Sequence, residues 1–187
     1  MKLIIGVVHG GFIHPDCAES LANLETPQNT LYRFQYGYQT DANRNSLVQY
    51  AKNVNATHLL QIDADIAAER TAVSKILQLS KPFATGAYRR KDLSGWELFD
   101  DDRQQITELK TEPFTVSACG MGFFLIDMSV LDTIQEPYYV NTWSLPERKR
   151  KTEDRYFCDR IHDSNNTIWV EPSIELKHYT WNSVYTP

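Results

Sequence analysis

Nine residues, His58-Leu59-Leu60-Gln61-Ile62-Asp63-Ala64-Asp65-Ile66, constrain this chain more than any others. An apolar run of strand length ends in two aspartates one residue apart. A buried strand whose carboxyl end opens into a polar crevice is how α/β sheets present chemistry. Extended backbone there points Asp63 and Asp65 to the same side. Two carboxylates held so close repel each other, and a divalent cation relieves that repulsion. Oxygen ligands with open positions beside them suit Mg²⁺ or Mn²⁺. The residues alone leave a second reading open, in which Asp65 is the N-cap of a helix starting near Ala67.

The flanking sequence reads as alternating strands and helices. Residues 2–8 form a strand filled by Ile4, Ile5, Val7 and Val8, which stops at His9-Gly10-Gly11. Those glycines fit either a tight turn or a close backbone approach to a ligand. A helix over 15–24 follows, with Asp16 and Glu19 spaced as a capping box. Residues 30–38 alternate, placing Tyr32, Phe34, Tyr36 and Tyr38 on one face. Most of these rings read as core, while Tyr38, at the strand's end, is placed to stack on a base.

A helix over 41–53 has Asp41 as cap and Leu47, Val48, Ala51 and Val54 as apolar stripe. Arg44 in its first turn opposes the helix dipole. That argues for a task such as binding phosphate or one of the aspartates. After the Asp63–Asp65 strand come a helix over 68–79 and a strand over 83–88. The order β-α-β-α-β-α-β predicts a mainly parallel sheet with helices on both faces.

The pattern changes beyond residue 88. Residues 89–110 are polar and carry Arg89-Arg90-Lys91, Trp96 and Asp100-Asp101-Asp102, a long connection with a short hairpin. Trp96 and Trp143 fit either a grip on a sugar face or plain packing. Residues 114–127 are apolar but interrupted by Gly120-Met121-Gly122, the mark of a bulge or a close approach. A basic run over 148–151 precedes a helix through 163, with Thr152 as cap and Glu153 and Asp154 in its first turn. Short strands over 168–170 and 174–176 lead to His178 and an aromatic tail.

In this order the features resemble the GT-A-fold glycosyltransferases, specifically compact family 2-like members of bacterial or phage type. The resemblance covers nearly the whole chain. It rests on Asp63-Ala64-Asp65, Arg44-Asn45, the stretch 118–124, Glu153-Asp154 with the helix they open, and His178 after the last strands. It implies an α/β fold: one GT-A (Rossmann-like) domain over 1–187 with a small antiparallel addition. Residues 1–88 would be its nucleotide-binding half and 89–187 its sugar and acceptor half. It implies a metal-dependent glycosyltransferase that moves a sugar from a nucleotide-diphosphate sugar, most commonly a UDP-sugar, to an acceptor hydroxyl with inversion. By resemblance, Asp63 lies near the ribose, Asp65 ligates Mn²⁺ or Mg²⁺, and His178 is the further ligand. His9, Gly10 and Gly11 face the nucleobase, and Gly120 and Gly122 line the donor sugar. Asp154 is the base, with Glu153 beside it. Arg44 and Arg89 or Arg90 are available to the diphosphate.

Rival readings remain on the residues. A haloacid dehalogenase-type phosphatase also carries Asp-x-Asp after a buried strand, but wants Thr or Val where this chain has Ala67 and uses the first strand. A nucleotidyltransferase has a glycine-rich basic signature after its first strand, which His9-Gly10-Gly11-Phe12 matches poorly. A non-catalytic nucleotide-sugar binding module would leave one acid idle. The net charge of −5 offers no general attraction for nucleic acid or anionic membrane. The basic clusters at 89–91 and 148–151 nevertheless leave open a polyanionic acceptor such as modified DNA, alongside saccharide, lipid-linked or protein acceptors. Cys17, Cys119 and Cys158 are too scattered for a disulfide framework or zinc knuckle and read as reduced, buried thiols of a cytoplasmic protein. The initial apolar run is too short for a signal peptide or membrane span. The acceptor side is expected to be minimal or completed by a partner subunit in a homo-oligomer.

Overall fold

The side chains of residues 3–8 alternate between two separate interiors. Leu3, Ile5 and Val7 enter one apolar cluster, Ile4 and Val8 the other. A strand buried on both faces is the mark of a sheet covered by helices on each side. The computed structural model describes residues 1–144 and 149–180 and shows that arrangement.

The amino-terminal half runs β1 (Leu3–His9), α1 (Pro15–Asn23), β2 (Thr30–Tyr36), α2 (Thr40–Asn53), β3 (His58–Asp63), β4 (Ile66–Ala68), α3 (Ala72–Gln78) and β5 (Phe83–Gly86). It continues with β6 (Leu98–Phe99), β7 (Phe114–Val116), β8 (Ala118–Cys119), β9 (Phe123–Asp127) and a 3-10 helix (Met128–Thr133). Then come β10 (Thr142–Ser144), β11 (Lys149–Lys151), α4 (Glu153–Asp163), β12 (Ile168–Glu171) and β13 (Leu176–His178).

The central sheet has the order β2-β1-β3-β9-β5-β12-β7. Five of its strands share one direction, while β9 and β7 run against them. β9 inserts between β3 and β5 and is fully apolar from Phe123 to Ile126. One face packs on α2 and α4 through Leu47, Val48, Phe157 and Ile161. The other packs on α1 and α3 through Leu21, Val73 and Ile76. Gly6 is what lets α2 approach β1, since a Cβ there would lie 2.7 Å from a Leu47 methyl. Three two-stranded antiparallel additions, β10-β11, β13-β4 and β6-β8, complete the described residues.

Several local expectations are corrected. β2 is an edge strand, so its aromatic face is not core: Phe34 and Tyr36 are about half exposed and Tyr38 is 85% exposed. The cap of α1 is His14, whose ring nitrogen accepts from the Asp16 amide; Asp16 already lies in the first turn. The helix α2 begins one residue early, with Gln39 as cap. Asp41 instead accepts from the Ala42 and Asn141 amides. No helix starts near Ala67, because residues 66–68 pair with β13. The helix over 68–79 shortens accordingly to α3. Cys17, Cys119 and Cys158 are free and buried. No helix among the described residues is long and apolar enough to cross a membrane. Part of the basic run, Arg148, and the tail from Trp181 lie outside the described residues.

The strand β13 is held by Glu69. Its carboxylate accepts from Lys75 Nζ at 2.5 Å, the Glu175 amide at 2.9 Å and Thr71 Oγ1 at 3.0 Å. Burial raises the Glu69 pKa, but these partners outweigh it and leave the carboxyl below its usual range. A depressed carboxyl contributes stability that is present above its unfolded pKa and lost as pH falls through the folded one. Glu69→Gln is therefore expected to cost about 1–2 kcal/mol at neutral pH. Denaturant melts across pH should show that difference shrinking once the pH drops below the ordinary glutamate value.

Candidate functional site

The carboxyl ends of β1, β2 and β3 align, with Val8 opposite Asp63 and His9 opposite Tyr36. Two cavities open there. One, of about 500 Å³, is lined by residues including Arg44, Asp65, Arg90, Lys91, Glu97, Gly120, Asp154 and His178. The other, of about 280 Å³, is lined by residues including His9, Gly10, Phe12, Gly37 and Tyr38. Thr40, Asp63 and Asp65 border both.

Asp63 and Asp65 do not sit side by side on extended backbone. Asp63 ends β3, and Ala64 and Asp65 form a turn before β4. The turn is fixed by backbone bonds from Ala64 N to Val8 O at 3.2 Å and from Tyr179 N to Asp65 O at 2.8 Å. The two acids therefore have different partners.

Asp63 belongs to Arg44, which is 3% exposed. Arg44 Nη2 donates to both Asp63 oxygens, at 2.9 and 3.0 Å. Its Nη1 donates to Gln61 Oε1 at 3.2 Å and the Met121 carbonyl at 3.3 Å. Nε lies 3.5 Å from Glu153 Oε1. Burial disfavours the guanidinium charge, but Asp63, Tyr139 and Glu153 around it push the Arg44 pKa above its already high value. Glu153 shifts upward under burial, against the pull of Arg44. Of the two tasks the sequence suggested for Arg44, the structure places it on an aspartate.

Asp65 faces Lys91 and His178. Lys91 Nζ donates to Asp65 Oδ2 at 2.6 Å, and His178 Nε2 lies 3.7 Å from the same oxygen. Burial raises the Asp65 pKa, but His178 and Lys91 overcome it and bring the carboxyl to about 2. His178 Nδ1 lies 2.9 Å from the Arg89 carbonyl. A carbonyl only accepts, so Nδ1 carries a hydrogen and donates it to Arg89, which leaves Nε2 as the ring atom facing Asp65. That is how metal-ligating histidines are commonly oriented. Among the described residues, no group of three or more His, Cys, Asp or Glu side chains is gathered into a ready cage. Asp65 and His178 are together; Asp63 is turned to Arg44.

The remaining predicted residues separate into those at the cavities and those behind them. Gly120 borders the larger cavity, but its small size serves Tyr88: a Cβ there would lie 2.2 Å from the Tyr88 hydroxyl. The Gly122 amide donates to that same hydroxyl at 3.0 Å. Arg89 stacks its guanidinium 4.4 Å from the Trp96 ring centre, so both side chains serve the base of their loop. Gly11, at φ 120°, lies close to the Tyr36 ring. Asp154 borders the larger cavity while its Oδ1 accepts from the Arg155 amide and the Thr152 hydroxyl. Glu153 beside it is mostly buried and touches the same cavity wall.

Tyr88, Glu97 and the pairing of Lys91 escaped the sequence reading. Burial pushes the Glu97 carboxyl upward, with Arg90 at 3.8 Å pulling back. The only signal for these residues was the length of the polar connection that carries two of them. Of the basic groups considered for a polyanion, Arg90 is paired with Asp92 and Glu97, Lys151 with Asp159, and Arg150 donates to Asn141.

Removing a buried cation that holds two carboxylates leaves uncompensated charge, a loss of about 3–5 kcal/mol. Arg44→Met is expected to destabilise by that amount in denaturant unfolding at pH 7, and a double variant Arg44→Met/Asp63→Asn by less than the single one.

No protein-family model and no curated protein sequence matches the chain. Solved structures share its fold. A197 from STIV superposes with a TM-score of 0.75 at 16% identity, covering 96% of this chain and 86% of that one. GalNAc-T7 crystallised with UDP, GalNAc and Mn²⁺ gives 0.65 at 12% identity, covering 95% of this chain. TarS from S. aureus gives 0.57 at 11% identity, covering 96%. This chain spans 44% and 37% of the lengths of those last two. The fold they share with it is GT-A.

Proposed function

We propose that the chain is a metal-dependent glycosyltransferase acting on a nucleotide-diphosphate sugar. The observation that carries this is the charge of the larger cavity. Among the described residues, six carboxylates border it: Asp63, Asp65, Asp92, Glu97, Glu153 and Asp154. Against them, among the same residues, stand three permanent cations, Arg44, Arg90 and Lys91. A diphosphate entering alone would meet net repulsion, whereas a divalent cation makes the same walls attractive. Asp65 and His178, an oxygen and an oriented imidazole, are a donor pair that fits Mn²⁺ or Mg²⁺. Such an ion neutralises charge developing on a departing diphosphate. The GT-A fold supports the assignment, and the UDP, GalNAc and Mn²⁺ named for GalNAc-T7 make a UDP-sugar and Mn²⁺ the first choices.

The protein's own groups take these roles. The smaller cavity receives the nucleobase between the His9–Gly11 segment and Tyr38, and Asp63, fixed by Arg44, meets the ribose. Residues 1–88 thus carry most of the nucleotide contacts, and 89–187 the sugar and acceptor side. The sugar lies in the larger cavity near Gly120, Arg90 and Glu97. Asp154, exposed to that cavity, removes the acceptor proton as the hydroxyl attacks, which gives inversion; Glu153 is too deeply buried to do so and orients the start of α4.

Two measurements test this. In a thermal-shift screen of nucleoside diphosphates, one is expected to stabilise only with Mn²⁺ and only while Asp65 is intact. At a hundred times the dissociation constant the gain is about 2.7 kcal/mol, or roughly 5–11 °C for a chain of this size. No shift with any diphosphate sinks the reading. Asp154→Asn is expected to keep that nucleotide binding while lowering turnover by about 10²–10⁴-fold; unchanged turnover would remove Asp154 from the chemistry.

A further inference from the structure

We infer that Lys91 is a tethered counter-cation that shares Asp65 with the divalent metal, holding the carboxylate before the donor arrives and passing to the diphosphate when metal takes its place. The inference deepens the nucleotide-sugar reading above and rests on it. The juxtaposition is direct: Lys91 Nζ lies 2.6 Å from Asp65 Oδ2, the oxygen that His178 Nε2 approaches to 3.7 Å. An ammonium therefore stands beside the one oxygen that also faces the imidazole Nε2.

A divalent ion bound to that oxygen and the ammonium would be like charges within a few ångströms, inside a partly buried cleft where repulsion is strong. Both cannot hold Oδ2. The loop is built to let the side chain move while its backbone stays. Arg89 and Trp96 form a bridge at its base, and Arg90 N donates to Gly95 O and Leu93 N to Arg90 O, each at 3.0 Å. The Arg89 carbonyl also holds His178, so the metal-facing imidazole and Lys91 hang from one anchored segment. The Lys91 side chain is 43% exposed, and its flexible four-carbon stem reorients without disturbing that anchor. Arg90 faces Asp92 and Glu97 instead, at 3.6 and 3.8 Å. The released ammonium finds its nearest unpaired anion in the diphosphate drawn in by the metal. The same lysine thus keeps Asp65 paired without donor and adds positive charge where the leaving group departs.

The test needs no turnover. Mn²⁺ alone is titrated into nucleotide-free wild type, Lys91→Met, Lys91→Arg and Asp65→Ala, with free Mn²⁺ read by electron paramagnetic resonance. UDP is then titrated by calorimetry at saturating Mn²⁺. Lys91→Met is expected to bind Mn²⁺ about fivefold more tightly than wild type, the factor that ~1 kcal/mol of lost ion pairing supplies. It should bind UDP about tenfold more weakly in the presence of the metal. Lys91→Arg should stay near wild type in both. Mn²⁺ binding by Lys91→Met that is no tighter than wild type, or UDP binding that is equally strong, overturns the inference. UDP·Mn²⁺ binding abolished by Asp65→Ala yet untouched by Lys91→Met would sink the lysine's role and leave the transferase reading standing. Absence of Asp65-dependent Mn²⁺ binding in every variant, with and without UDP, would sink both.

Discussion

A buried guanidinium ties together parts of the chain that lie far apart in sequence. Arg44 is almost wholly inside, and a cation there survives only among well-placed acceptors. Those acceptors come from separate places in the chain: Gln61 and Asp63 on β3, the Met121 carbonyl before β9, and Glu153 at the start of α4. Its sequence neighbour Asn45 extends the tie, accepting from the Tyr138 and Tyr139 amides and donating to the Tyr139 carbonyl. One turn of α2 therefore locks the amino-terminal strands to the late helix. The position of Asp154, one residue beyond Glu153, follows from that lock. So does the direction in which Asp63 points.

The cleft combines a rigid acid with a responsive one. Asp63 is held by a buried partner that cannot leave without stranding its own charge. Asp65 is held by a half-exposed lysine on a tight turn, and such a pair contributes little to stability. On the proposed reading, release of the lysine to an arriving metal uses the second kind of contact, and a cleft of fixed shape uses the first. The Ala64–Asp65 turn separates the two, which extended backbone would not have done.

Much of this was legible in the sequence, for identifiable reasons. Strands buried on both faces leave unbroken apolar runs, so β1 and β3 were visible, and the acids at the end of β3 marked the open side of the sheet. The acidic first turn of α4 followed helix-dipole logic. Arg44 was conspicuous because it violated that logic. What failed were features set by pairing over long separations. The aromatic alternation of β2 looked like a core face, but which strand becomes an edge depends on the order of the whole sheet. The expected helix near Ala67 lost to β4, whose partner lies more than a hundred residues later in the chain. Glycines 120 and 122 signalled a close approach, and the group they admit is the buried Tyr88 ring.

That late pairing is what makes the site. β13 aligns His178 opposite Ile66, the residue immediately after Asp65. The imidazole therefore reaches Asp65 because of strand register, and a slip of one residue would turn it to the other side of the ribbon. Glu69 fixes that register from the far end by binding the Glu175 amide, and the Arg89 carbonyl fixes the ring itself. Asp65, His178 and Lys91 are thus positioned by backbone hydrogen bonds, while the cavities on either side of Asp65 are shaped by side chains.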